Sequence, residues 1–492
     1  MSKIKFKYGT IKYINDIEVE IKFCLIDFEL KLIPIDWQQT MKIVLDNKFV
    51  NEKFIWLKGE FISGEAVNIQ VYAPQLVNFI LPNSSKFINV GVSMYTISEG
   101  DYDISNSFKY IEFDGGILDL VYPVRQIQEF DYKRMSLKLK KKTMQIYKVS
   151  NDEEIETIKY FIKPSVKIGK MVDYKDTHTA FVFELKENIK IQSFFKYFIY
   201  LSNMLSFLCR QSNIRFTAIR TYNEQAMKEG HINIFINDNY ENYIDEVAHI
   251  NEVISFNSIG KDIVNLYKII KNKSEQPNLV FLSDDNKDSN NIYYYSPIAI
   301  TSSMEREYKQ IENKFKCDKR LKKAAKKLKD KLQSIIDSEK CDKRIKDKCT
   351  NLFNALEDIE PNSKEKFGRL LNLLIIDLGR IKSDISKLYY AKFWLKLDEE
   401  KDNLKKLYGD FYRIRGSAAH DVIEWKDNVG KIYGFIEMII YYFILRRIGV
   451  KVTTRFNIIE KLFEPVINET YIQKEIMRKK YEEEGKRILF ES

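Results

Sequence analysis

The chain has 492 residues, enough for two to four domains of ordinary size. With 45% apolar and 30% charged residues, including 32 Phe and 30 Tyr, it is not a disordered chain, and 18 Gly with 9 Pro exclude collagen-like and linker-like classes. Eighty Lys and Arg against seventy Asp and Glu leave +10, a basic bias that permits a polyanionic partner without requiring one.

In chain order, the opening MSKIKFKYGTIKYI carries charge but no apolar stretch, so no secretory leader is expected. Runs in which Ile, Val, Phe and Tyr alternate with polar residues predict strands at 18–26, 54–62, 67–72, 87–92, 136–139 and 178–185. Turns at Ser63-Gly64, Pro82-Asn83-Ser84 and Asp114-Gly115-Gly116 separate them, and the region is expected to form a sandwich or a strongly bent sheet. From 192 the period becomes helical. Residues 192–209 are apolar on nearly every face and are expected to pack within the N-terminal unit. Short strands are predicted at 214–219 and 232–236, helical spacing resumes over 240–273, and the polar run 283–291 reads as a linker.

Beyond the linker the chain reads as helix almost to its end. The densest charge lies at 319–327, where Lys322, Lys323, Lys326 and Lys327 suit either a solvated helix face or a surface that tracks RNA phosphates. The helix predicted at 430–448 places Ile432, Phe435, Ile436, Ile439, Ile440, Phe443 and Ile444 on more than one face. Part of that surface, with the 401–420 helix, is expected to bury against a second copy. The apolar runs 194–209 and 432–445 contain Lys196 and Glu437 and fall short of the roughly 20 apolar residues that span a bilayer. Both read as buried helices of a soluble, cytoplasmic protein without membrane contact.

Five cysteines (Cys24, Cys209, Cys317, Cys341, Cys349) form no CxxC pair and no histidine stands at finger spacing from them. A reducing compartment, no metal site and no cofactor are expected. Of the four histidines, His178, His231 and His249 have no catalytic companion near in sequence. His420 differs, because it follows Arg413 and Arg415 at the end of an amphipathic helix with apolar positions Leu404, Leu407, Phe411, Ile414 and Ala418. Residues seven apart on a helix differ by about 20° in azimuth, so Arg413 and His420 share a face. Arg415 points about 140° from His420 unless Gly416-Ser417 loosens the helix, and both are poor helix formers. Such a pair suits RNA cleavage without metal. Histidine takes the ribose 2′-hydroxyl proton near neutral pH, and a guanidinium clamps the phosphate as charge grows on it. The competing account is structural: arginines and a histidine that satisfy the last carbonyls of a helix and its dipole.

The Arg415-x4-His420 spacing at a helix end, followed after a short polar loop by the apolar helix at 430–448, resembles the HEPN superfamily of helical ribonucleases. More closely, it is similar to the C-terminal HEPN domain of ApeA-like anti-phage proteins. FIWLKGEFISGEAVNIQVYAP (54–74) and FINVGVSMYTISEGDYDISNSFKYIEFDGGILDLVY (87–122) resemble the β-rich ApeA-type N-terminal domain. The resemblance implies an α+β chain: an ApeA-type domain at 1–282 with helices after about 190, a linker at 283–300, an all-α HEPN-like helical bundle at 301–470 and a charged C-terminal helix at 471–492. It implies a homodimer, or a higher homo-oligomer, in which two motifs build one RNase site. His420 would be the acid/base, Arg415 the phosphate clamp, and Arg413, Ser417 and Asp421 supporting residues. Gly416 and Asp421 stand where many members have a polar residue and a glycine. The implied role is abortive infection, in which a phage-derived trigger releases cleavage of host RNA, with tRNA as the expected substrate. The alternative is a non-catalytic HEPN module that binds RNA or a partner protein.

Overall fold

Alternation of apolar and polar residues rolls the first six strands into a barrel. In the computed structural model these are β1 (Phe6–Ile14), β2 (Ile17–Ile26), β3 (Glu29–Pro34), β4 (Phe54–Phe61), β5 (Ala66–Tyr72) and β6 (Ile88–Glu99). Every pairing is antiparallel, in the order β6-β3-β2-β1-β4-β5, and β5 pairs back to β6 to close the ring. Ile11, Ile21, Phe23, Leu30, Leu57, Val67, Ile69 and Val92 are among the residues that fill its interior. Closure of a small barrel demands sharp bends, and two devices supply them. In β6 the register slips by one at Ser93, so Val90 and Val92 before the bulge and Tyr95 and Ile97 after it all face the core. Where β1 crosses β4, a side chain at Gly9 would strike the Glu60 carbonyl and the Phe23 ring, and one at Gly59 would strike the Thr10 carbonyl. Only glycine admits that approach.

The structure describes residues 6–14, 17–26, 28–34, 53–72, 88–99, 107–123, 128–131, 136–139, 144–163, 178–212, 214–223, 231–236, 253–282, 296–311, 316–338, 342–355, 361–381, 383–418, 429–470, 473–474 and 476–480. The chain divides into two compact units, Met1–Ile199 with Arg215–Val247, and Tyr200–Ile214 with Ala248–Ser492.

In the first unit the sheet continues past the barrel. Strand β7 (Phe108–Asp114) is followed by a one-turn helix, α1 (Leu118–Val121), and by a separate pair, β8 (Gln128–Asp131) and β9 (Ser136–Leu139). Then come β10 (Gln145–Lys148), β11 (Ile155–Lys163), β12 (His178–Ile189), the helix α2 (Phe194–Cys209), β13 (Ala218–Tyr222) and β14 (His231–Ile236). The order β10-β11-β12-β7-β13-β14-β6 joins them to the barrel as one 12-stranded sheet. The expected bent sheet is thus found, half of it closed. One face of this second half is aromatic. Phe113 meets Phe183, Phe216 and, at the start of α2, Phe194, while Tyr122 packs edge-on against Tyr160. Strands at 6–14, 29–34, 108–114, 128–131, 145–148 and 155–163 are not among those predicted, and the one predicted at 214–219 lies at Ala218–Tyr222.

The second unit is helical: α3 (Phe256–Ile259), α4 (Ile263–Lys271), α5 (Ser296–Ile311), α6 (Lys316–Ile336), α7 (Lys343–Ala355), α8 (Ser363–Arg380), α9 (Ala391–Lys396), α10 (Lys401–Ala418), α11 (Val429–Arg447), α12 (Val452–Leu462) and α13 (Glu464–Glu469). The linker candidate 283–291 lies outside the described residues, and α5 already occupies 296–300 of the expected 283–300 linker. Residues 200–214 and 248–282 group with the helices, whereas the expected boundary lay at 283. The reason is visible in α2. Phe207 stacks on Tyr441 at 4.9 Å, and Arg210, at the end of the helix, clamps Glu437 with two 3.1 Å hydrogen bonds and donates to the Leu462 carbonyl. The far half of α2 is therefore not packed within the N-terminal unit.

Helix α11 corrects a second expectation. Residues 434–445 are all buried, against α5, α10, α12, α13 and Phe207. Its several apolar faces are covered by its own chain, so they are not an interface held open for a second copy. Its Tyr441 and Tyr442 hydroxyls are both pushed well above the usual tyrosine range by burial.

Candidate functional site

Helix α10 carries Arg413 and Arg415, and its placement follows from its apolar stripe. Leu404, Tyr408 and Phe411 are buried. The Tyr408 ring lies on Phe367 of α8 with centroids 4.4 Å apart, and its hydroxyl meets the Ser363 hydroxyl at 2.6 Å. That fixes the azimuth of the helix. Position 413 falls about 140° from Tyr408 and position 415, seven residues on, about 20° from it. Accordingly Arg413 is in solvent, with 85% of its side chain exposed and Asp410 at 3.4 Å. Arg415 stands on the register of the packed stripe. The helix runs unbroken through Gly416 and Ser417 to Ala418, so these two residues do not loosen it. The side chains of Arg415 and Ser417, and His420 and Asp421 altogether, lie outside the described residues. Of the Arg–His pair, the structure thus places the backbone of Arg415 alone.

The basic stretch forms α6, which packs on α7. Ala325, Lys329, Leu332 and Ile336 turn toward α7, and the Lys329 ammonium lies 5.1 Å from the Phe353 ring. Lys323, Lys326 and Lys327 are exposed, while the side chain of Lys322 lies outside the described residues. These three are solvated, which is the geometry that both a plain helix face and a phosphate-tracking surface need.

Several buried charges escaped the sequence reading. Asp377 of α8 accepts from the Tyr442 hydroxyl (2.9 Å), Arg455 (3.1 Å) and Arg380 (2.8 Å), with Arg446 at 3.2 Å. Glu460 of α12 accepts from the Tyr389 and Tyr390 amides and the Trp394 indole, fixing the start of α9. Glu307 of α5 takes a bidentate pair of bonds from Arg447 at 2.8 and 2.9 Å. Burial pushes its carboxyl up to about 7, against the pull of Arg447. In the first unit, Glu112 and Asp114 share Lys163 and Arg220, and Glu184 is held below the usual carboxylate range by Lys159, Thr157 and Tyr110, which outweigh the cost of burial. These groups hold elements together; each buried carboxylate has a cation or backbone donors beside it. The sequence signal was a lone charge in an apolar run, such as Asp377 in LLIIDLG, which tells that a partner exists but not which.

His178 Nδ1 lies 3.0 Å from Asp119, the side chain of His231 and all of His249 are outside the described residues, and no group of three His, Cys, Asp or Glu able to hold a metal occurs among the described residues. Nor is any described helix long and apolar enough to cross a membrane. Comparison of the chain with protein-family models, with curated proteins and with solved structures gives no match.

Proposed function

We propose that the helical region is a metal-independent endoribonuclease of the HEPN kind, with His420 as acid/base and Arg415 as phosphate clamp. The observation that carries this reading is the Arg415-x4-His420 spacing at the end of α10, a helix anchored on α8 and leading to the buried α11. Of the two arginines, Arg413 is exposed and beside Asp410, and Arg415 is taken as the clamp from the family signature that the motif resembles. In the reaction His420 removes the 2′-hydroxyl proton, the oxygen attacks the adjacent phosphate, and the 5′-oxygen leaves with a proton returned from an acid. The guanidinium offsets the charge that grows on the phosphate. The product ends are a 2′,3′-cyclic phosphate and a 5′-hydroxyl.

In this proposal two copies contribute one motif each, as in the family that the motif resembles. Because α11 is covered within the chain, contact between copies falls to other surfaces of the helical region. The role is abortive infection: a phage-derived trigger releases cleavage of host RNA, tRNA first, and the β-rich region holds the enzyme silent until then. Expression of the wild type should be toxic and yield RNA with cyclic phosphate ends in the presence of EDTA. Arg415→Ala and His420→Ala should each abolish both. Cleavage lost to EDTA and restored by magnesium would sink the mechanism. Toxicity retained in either variant would instead favour a non-catalytic module that binds RNA or a partner.

A further inference from the structure

Helices α6 and α7 run antiparallel through a short connection at 337–342, and neither packs extensively on any other described element. Their mutual seam is filled, yet four large aliphatic side chains stay outside it. Leu328 and Ile335 are 48% and 39% exposed, Ile345 and Leu352 52% and 57%. Each pair is seven residues apart and so forms a straight stripe along its helix. On α6 the stripe sits roughly 80° back from the residues that face α7, and on α7 it sits a similar step back from Lys346, Cys349 and Phe353. In antiparallel helices equal steps in each helix's own frame lead to the same side. The four residues therefore form one apolar floor along one broad face of the hairpin.

The edges of that floor are basic. Lys327 and Lys331 border it on α6, Arg344 and Lys348 on α7; all four are exposed, and none pairs with a carboxylate among the described residues. Asp330 and Asp347 fall on the opposite side by the same helical count. Residues 316–355 contain fourteen Lys and Arg against six Asp and Glu, a surplus of eight in a chain whose net charge is +10.

We propose that this face is a docking platform for an acidic amphipathic helix of a partner protein. Heptad-spaced aliphatics on two neighbouring helices make the groove into which a third helix fits its own stripe, and flanking charges of opposite sign choose the partner. A second copy of the hairpin is a poor occupant, because a surplus of eight positive charges would meet its like. Among the described residues the floor has no aromatic ring on which a nucleobase could stack and no tryptophan or phenylalanine of the kind that anchors helices in lipid. The proposal does not rest on the ribonuclease reading: Lys323 and Lys326 lie on the far side of α6, and of the described lysines in that set only Lys327 borders the floor.

The test uses the full chain and a labelled helical peptide of about three heptads, with leucine on its stripe and glutamate on both flanks; a control has lysine on the flanks. Fluorescence anisotropy should show saturable binding of the glutamate peptide, weakened by salt, and none of the control. The exposed substitutions Leu328→Asn and Leu352→Asn together, and Ile335→Asn with Ile345→Asn as a second pair, should each raise Kd at least ~10-fold, about 1.4 kcal/mol, with helical content unchanged by circular dichroism. Absence of saturable binding, equal binding of the lysine peptide, or indifference to both pairs would overturn the proposal. So would a change in sedimentation caused by the substitutions, which marks a second copy as the occupant, or a loss of RNA or phosphatidylserine-vesicle binding, which marks those.

Discussion

Glu307 shows how a single buried group ties this structure to pH. Its carboxyl is fully enclosed between α5 and α11 with Arg447 as its partner, and burial lifts it from about 4.5 to about 7. Between those values the folded chain holds a proton that the unfolded chain has released, so stability falls as pH rises through that window and levels off above it. The slope cannot exceed about 1.4 kcal/mol per pH unit for one group. We therefore expect the stability advantage of the wild type over Glu307→Gln to shrink between pH 5 and pH 7 in urea titrations; an advantage that is constant or grows would mean that Arg447 keeps the carboxylate ionised throughout. The residue scale is also where sequence reading reached least. Asp377, Glu460 and Arg210 stand in apolar surroundings in sequence, and the partners that tie them to other elements lie about 65 to 250 positions away. The Arg415 and His420 spacing is local and can be read from sequence without any long-range contact, and the described helix carries it as far as Ala418.

At the scale of elements, helix α6 separates affinity from chemistry. If Lys322, Lys323, Lys326 and Lys327 follow phosphates, changing all four to glutamine should weaken RNA binding. The logarithmic slope of affinity against salt should flatten by roughly 0.7 for each single-strand phosphate that is no longer neutralised. Turnover at saturating RNA should stay near normal, since none of these lysines touches the scissile phosphate in the proposed mechanism. Filter binding at several salt concentrations checks this, and an unchanged salt slope would leave the lysines as a solvated face only. Elements with a clean period were the legible ones. Val67–Tyr72 alternates and α10 repeats at three and four, so both stand where periodicity puts them. Strand β1 was missed because Tyr8 and Tyr13 are exposed while the inward positions include Gly9, which erases the contrast between faces. Helix α11 was found, but a helix apolar on every face has two physical causes, a second copy or a central place in its own bundle. Only the neighbours decide between them, and here α5, α10, α12 and α13 do.

For the whole molecule, the uneven distribution of charge carries the last prediction. Composition alone presents +10 as a mild basic bias, but residues 316–355 hold a surplus of eight, so the remainder of the chain is close to neutral. Those residues are also the two helices that pack extensively only on each other. Charge and packing thus point to the same segment as an appendage of the helical unit. Replacing Lys316–Ala355 by a short Gly/Ser linker removes no side chain from the Phe367–Tyr408 stack, the Asp377 cluster or the Glu307–Arg447 pair. Its ends already lie at the open end of one hairpin, so a linker adds only a small closure entropy. The excised chain should keep a cooperative melt with a midpoint within about 2–4 °C of the parent, the shift that ~1 kcal/mol causes in a domain of this size. It should also elute far earlier from a cation exchanger, with its net charge reduced from +10 to +2. RNA affinity should fall with it if the lysines track phosphates. A melt that broadens or shifts by tens of degrees would instead make the hairpin part of the core, and its exposed aliphatic floor would then need an explanation within the chain.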